Sequence, residues 1–395
     1  MKANQATLTS DQPSDQPSDP RPASPTSGKS TRAGDGICSR AVARRTQWLW
    51  LAGVVGIACS LGSVLARQLQ REWLQNGALA ALATSDDVAA HALTAAERAS
   101  FERDGFLVIT GALDDALVSR LDAAMEAWAQ ATTGGVKAGT TWHGMTFSEK
   151  HEMPERYPEL ASLLVHPRVL GKIVGILGWN IWCYHAHATY TRAAEGAGEK
   201  MSAPAEPSGD HWHQDSGRVN ADVEGDPRPR LSVKASYFLT DTSRPGSPQF
   251  WAVPGSHLNN TLAHADSGAT QQPPGAVPIP VAAGSVVIID RRLWHAGPLG
   301  AQSYAHSRKV LFYGFGPRWM RSKDPLATGR LLRYVSDPVL RQLLGHTPSF
   351  NGLYSPTPVD VPLLPWLETH GMLGGPPPVP WEDCSQSDKW IGGCS

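Results

Sequence analysis

The sequence predicts a mainly β domain, a sandwich or barrel, with α-helices ahead of it. A single membrane-spanning segment and a disordered tail are expected before those. Three observations carry the expectation. Between residues 181 and 315 the chain breaks into short apolar or alternating runs set apart by Gly, Pro, Asn and Ser clusters. That is the pattern of many short strands, not of βαβ units. Residues 94–177 instead carry apolar side chains at helical spacing. A run of 21 residues, 46–66, has no charged side chain.

Composition excludes several classes. The 395 residues hold 35 Lys and Arg against 36 Asp and Glu, a net charge of −1. A nucleic-acid binder would be strongly basic, so no nucleic-acid partner is expected. With 41% hydrophobic and 18% charged residues the chain is globular in composition. Five cysteines in this length make no disulfide framework. Cys384 and Cys394 enclose a short loop and would bridge only on the lumenal side of a membrane.

Taken in order, residues 1–45 read as a disordered tail, since Asp11–Pro25 repeats Asp-Gln-Pro-Ser with almost no apolar side chain. Residues 46–66 span roughly 30 Å as a helix, the thickness of a bilayer core. Arg32, Arg40, Arg44 and Arg45 precede the run and Arg67 and Arg71 follow it. That bias predicts a single-pass signal anchor with a cytosolic N-terminus and the folded domain lumenal; organelle targeting is the other reading. Residues 67–92 form an Ala-rich helical stem.

The folded domain is expected over 93–320. Thr94 with Glu97 three residues on makes a capping box for a helix ending at Asp104-Gly105. Phe106–Ile109 is a short buried strand, and Leu117, Leu121, Ala124, Met125 and Trp128 mark one face of a second helix. A third helix covers about Pro158–Leu177. Strands follow at Ile181–Arg192, Leu231–Thr240, Phe250–Val253, Val277–Pro280, Ser285–Asp290 and Lys309–Phe315. Residues 321–395 form a partly ordered extension, Pro-rich at its end.

Chemistry concentrates in Asp210-His211-Trp212-His213-Gln214-Asp215. On an extended strand, side chains two apart share a face, so His213 and Asp215 can grip one ion. An imidazole and a carboxylate suit Fe(II), Mn or Zn. A third ligand is His295, 82 residues downstream and just past a buried strand. Two His and one Asp on a triangular face leave open positions for a bidentate oxoacid and O₂. Arg308, thirteen residues later, has the planar fork that pairs with a carboxylate, and Lys309 would face the other way. Lys234 and Tyr237, on a core strand, could also reach the co-substrate; His185 and His187 alternate on one face of theirs and could line a pocket. His257 reads as a structural turn residue.

The ordered set resembles the phytanoyl-CoA dioxygenase family of Fe(II)- and 2-oxoglutarate-dependent oxygenases. The likeness runs over about 93–320. It rests on Leu93-Thr94, Phe101–Ile109, His166-Pro167, His213-Gln214-Asp215, Tyr237–Asp241, Val253–His257, Trp294-His295-Ala296-Gly297 and Arg308. It implies a double-stranded β-helix core, jelly-roll or cupin-like. It implies Fe(II) held by His213, Asp215 and His295, and 2-oxoglutarate, a co-substrate with O₂, on Arg308. The activity implied is hydroxylation of a small organic or lipid-like molecule. Family members often carry Ser where Gly297 stands; Asp215 argues against the halogenating relatives. Two rival readings are a membrane-anchored binding protein of the same fold without catalysis, and a zinc hydrolase using His211 and His213.

Overall fold

The computed structural model describes residues 77–147, 153–196, 212–215, 217–244, 246–262, 272–297, 304–324, 326 and 328–373. The expected tail, the apolar run 46–66, the first part of the stem, His211 and the Cys384–Cys394 pair lie outside them.

Helix α1 (Ala95–Asp104) starts at the expected cap. The Glu97 N–H donates to Thr94 Oγ1 at 3.2 Å, and the Thr94 N–H donates back to the Glu97 carboxylate at 2.9 Å. Gly105 ends the helix in the left-handed region and turns the chain into strand β1 (Phe106–Ile109). Helix α2 (Asp115–Thr133) is capped by Asp114, and its buried face is Leu121, Ala124, Met125, Trp128 and Ala129. Strand β2 (Thr141–Met145) has no counterpart in the expected elements.

The expected helix over 158–177 is not continuous. A short turn (Glu159–Ser162) and a 3-10 turn (Leu163–Val165) precede helix α3 (Pro167–Leu177), and the two parts bend by 45°. Pro167 has no N–H to continue the first part and stands at the first turn of the second. Among the described residues no single helix is long and apolar enough to cross a membrane.

Seven more strands complete the sheets: β3 (Ile181–Thr191), β4 (Val233–Phe238), β5 (Phe250–Ala252), β6 (Val277–Ile279), β7 (Val286–Asp290), β8 (His295–Ala296) and β9 (Arg308–Pro317). One sheet has the order β1-β7-β4-β9-β3-β2, the other β6-β5-β8, and every pairing is antiparallel. The architecture is thus mainly antiparallel sheet with helices. The alternation of strand side chains divides the large sheet cleanly. Its outer face, with Leu107, Ala188, Ala235, Tyr237, Ile288, Leu311 and Tyr313, packs under α2 and α3 in the main core. Its inner face, with Phe238, Val287, Ile289 and Val310, meets Phe250, Ala252 and Ile279 of the small sheet.

The main core extends past the expected domain end. Helices α4 (Pro338–Leu343) and α5 (Leu363–Thr369) bury Val339, Leu340, Leu343, Leu363 and Leu367 in it, together with Leu79 and Val88 from the stem. Residues 79–88 and 331–367 are therefore structural members of the same domain.

Candidate active site

Strand β8 and the segment 212–215 meet through their backbones. The His213 N–H donates to the His295 carbonyl, and the His295 N–H donates to the His213 carbonyl, both at 3.0 Å. This pairing sets the two rings 4.4 Å apart between centroids. The Asp215 N–H donates to the Arg291 carbonyl at 2.9 Å, which turns its carboxylate toward the imidazoles. One donor atom each from His213, Asp215 and His295 lies within 4.8 Å of the others. Asp215 and His295 are buried, while His213 is exposed.

The donors suit a divalent metal. His295 Nδ1 stands 2.9 Å from the Leu293 carbonyl, so it carries the proton and leaves Nε2 with a lone pair. Burial pushes the His295 pKa down to about 3, with the neighbouring His213 adding to the effect. The ring is thus a neutral ligand at ordinary pH. Burial opposes the charged form of Asp215, yet Lys234 and the two imidazoles hold its carboxyl well below the usual carboxylate range. Lys234 Nζ lies 2.5 Å from Asp215 Oδ2. This buried ion pair is one of the causes that keep the carboxylate charged.

Arg308 opens strand β9 on the inner face, 5% exposed. Its guanidinium sits over the rings of Phe238 and Phe312, 5.2 and 5.8 Å from their centroids. Among the described residues no carboxylate pairs with it, and its Nε has no hydrogen-bond partner. Burial lowers its pKa to about 10. A buried cation beside two aromatic rings, with no carboxylate partner among the described residues, is suited to bind an anion. Lys309 points outward and holds Asp122 and Glu126 on α2, each at 2.9 Å.

The structure separates the two weaker candidates. Lys234 faces inward and touches Asp215. Tyr237 stands three residues on, an odd step along a strand, and so faces the helices. Its hydroxyl donates to the Leu163 carbonyl at 2.7 Å, which corrects the expectation that it reaches the co-substrate. His257 Nε2 lies 3.1 Å from the Glu102 carbonyl, in keeping with a structural part.

Two features had no signal in the sequence. Arg230, in the loop ahead of β4, bridges Glu102 and the buried Asp290, each at 2.6 Å. Asp290 also holds Arg292 at 2.7 Å. This network clamps the turn between β7 and β8, and with it His295. Asp324, beyond the expected domain end, reaches His185 Nδ1 at 2.5 Å.

A family model described as phytanoyl-CoA dioxygenase matches residues 101–301, half of the chain. The chain belongs to the phytanoyl-CoA dioxygenase family. Ferrous iron and 2-oxoglutarate are the cofactors of that family, so membership puts the chain among oxygenases of this kind and related enzymes. Arg308 lies just past the matched stretch, so its part rests on the geometry above.

Among solved structures, the chain is similar to HygX from Streptomyces hygroscopicus with nickel and 2-oxoglutarate bound. They are 17% identical over 58% of this chain and 90% of that one, with a TM-score of 0.43. It is also similar to AviO1 from Streptomyces viridochromogenes, 24% identical over 60% and 97%, TM-score 0.38. A third is SnoN, a non-heme alpha-ketoglutarate-dependent epimerase from nogalamycin biosynthesis, 21% identical over 60% and 87%, TM-score 0.40. These are likenesses in outline, and no residue role is transferred from them. A search of curated proteins found no significant match.

Proposed function

We propose that this phytanoyl-CoA dioxygenase family member is an iron- and 2-oxoglutarate-dependent oxygenase that hydroxylates a small organic molecule. The observation that carries the reading is the convergence of His213, Asp215 and His295, with donor atoms within 4.8 Å of one another. Arg308, facing inward with no carboxylate partner among the described residues, supports it. His213, Asp215 and His295 would hold Fe(II), and Arg308 would bind the far carboxylate of 2-oxoglutarate. When bound, the metal and co-substrate supply the oxidation, with O₂ consumed and oxoglutarate converted to succinate and CO₂.

The chain's own residues do the rest. The Leu293 carbonyl fixes the His295 tautomer, so Nε2 faces the metal position. Lys234 neutralises part of the Asp215 charge. Phe238 and Phe312 shield Arg308 from water, where a bidentate carboxylate contact is strongest.

The test is succinate formation coupled to substrate by the full chain. Asp215→Ala is expected to abolish it, and retained turnover would refute the triad. A wild-type chain that binds metal and oxoglutarate but never turns over would instead favour the non-catalytic binding protein. Tight zinc with turnover independent of O₂ would favour the hydrolase reading on His211 and His213.

Location is part of the same proposal. The uncharged run 46–66 is read as a single-pass anchor with the N-terminus cytosolic and the enzyme lumenal. Alkaline extraction of membranes should leave the full chain in the pellet; recovery in the supernatant contradicts the anchor.

A further inference from the structure

On the inner face of the large sheet, His185 on β3 pairs in register with Gly314 on β9, and Gly314 with Lys234 on β4. The backbones of His185 and Lys234 are therefore two strand spacings apart, roughly 10 Å. Lys234 is the residue in contact with Asp215. Gly314 contributes no side chain between them, and the Tyr184 ring fills its place. A Cβ at 314 would come within 3.0 Å of that ring, whose hydroxyl reaches Ser232 Oγ at 3.1 Å. His185 and Lys234 thus lie on the same face of the large sheet, on either side of Gly314.

His185 is 4% exposed. Asp324 Oδ2 lies 2.5 Å from its Nδ1 and also accepts the Ala186 N–H at 2.9 Å. A carboxylate only accepts, so Nδ1 carries the proton and Nε2 presents a lone pair. Burial holds the imidazole below its ordinary range, which keeps it neutral. That Nε2 is buried and has no partner among the described residues. The same is true of Nδ1 on His187, whose ring lies 4.5 Å from the His185 ring and stacks on Phe312. Lys234 Nζ sits 5.8 Å from the centre of that Phe312 ring, closing the path back to Asp215.

We propose that the His185–Asp324 pair is a substrate-positioning site, and that the substrate is a hydroxyl-bearing small molecule whose O–H donates to His185 Nε2. This rests on the oxygenase reading and narrows its substrate. An acyl chain lying against these rings would leave two buried imidazole nitrogens without a hydrogen-bond partner. A hydroxyl satisfies one of them and fixes the orientation of its own carbon skeleton. Asp324 acts through His185 by holding the tautomer and the ring angle.

The test uses the full chain with Fe(II) and 2-oxoglutarate under argon. The visible charge-transfer band of the metal–oxoglutarate pair reports the oxygenase reading by itself. Glycerol, myo-inositol and glucose are then titrated against octanoate, with binding read by calorimetry and by the shift of that band. Hydroxylated probes are expected to bind and octanoate is not. Asp324→Asn and His185→Leu should each weaken the hydroxylated probes about tenfold, the worth of one buried hydrogen bond. His185→Gln, which keeps an acceptor, should recover part of the loss. All three variants should form the oxoglutarate band. Octanoate binding alone, no hydroxylated probe binding, or unchanged affinities in the first two variants would overturn the proposal. If the band never forms in the wild type, the oxygenase reading fails. Calorimetry with the polyols still decides the His185 site.

Discussion

Arg308 shows how a residue's solvation separates a functional part from a structural one. A guanidinium stripped of water, with no carboxylate partner among the described residues, costs stability until an anion arrives. Arg308→Leu should therefore leave the thermal midpoint of the oxoglutarate-free protein unchanged or raised. It should also weaken 2-oxoglutarate by about a hundredfold, in line with loss of a buried bidentate pair. Calorimetric titration beside a melting curve checks both, and a large drop in midpoint would make Arg308 a structural cation. Arg308→Lys should rescue little, because one ammonium cannot form two parallel bonds. The inward direction of Arg308 and the outward one of Lys309 were legible, because strand parity fixes adjacent residues to opposite faces. The same parity separates Tyr237 from Lys234, yet residue type alone made both look like co-substrate contacts. Asp324 was illegible, since an acidic residue in a loop 139 positions from its partner leaves no pattern.

At the scale of elements, local signals were read where the physics is local. The Thr94–Glu97 box predicts its own helix start, and Thr94→Ala should lower stability by about 1 kcal/mol in a denaturant melt. The corner after that helix is more demanding. Gly105 holds φ at +81°, and an added Cβ would lie 2.5 Å from His257 Nδ1. Gly105→Ala is expected to cost about 2 kcal/mol or more, since backbone strain and the displaced imidazole add; a neutral effect would mean the corner relaxes freely. The helix expected over 158–177 failed at His166-Pro167, where apolar periodicity runs through a proline that breaks the hydrogen-bond ladder. Strand β2 was missed because Thr-Trp-His-Gly-Met alternates weakly and carries a glycine.

For the whole molecule, the sequence indicated a mainly β sandwich or barrel but placed its C-terminal limit too early. A chain ending after Met320 would lose Leu331, Val339, Leu340, Leu343, Leu363 and Leu367 from the core. Each buried aliphatic side chain is worth about 1.5–3 kcal/mol, against a total stability of roughly 5–15 kcal/mol. The truncated protein should be insoluble or unfolded by circular dichroism, and a folded one would restore the shorter boundary. Acid response is also global. His166 is lowered to about 4 and His295 to about 3, both by burial. The unfolded chain thus takes up protons before the folded one does. Stability of the metal-free protein should be full above pH 6.5 and fall between there and pH 3, by about 1.4 kcal/mol per pH unit for each proton taken up. A flat profile of the denaturation midpoint over that window would contradict it. What no stretch of sequence could state alone is that positions 213, 215 and 295 share one point in space. Anaerobic titration of the full chain with Fe(II) measures that. One ion per chain is predicted for the wild type and none at comparable affinity for Asp215→Ala or His295→Ala; undiminished binding in either variant would contradict the account.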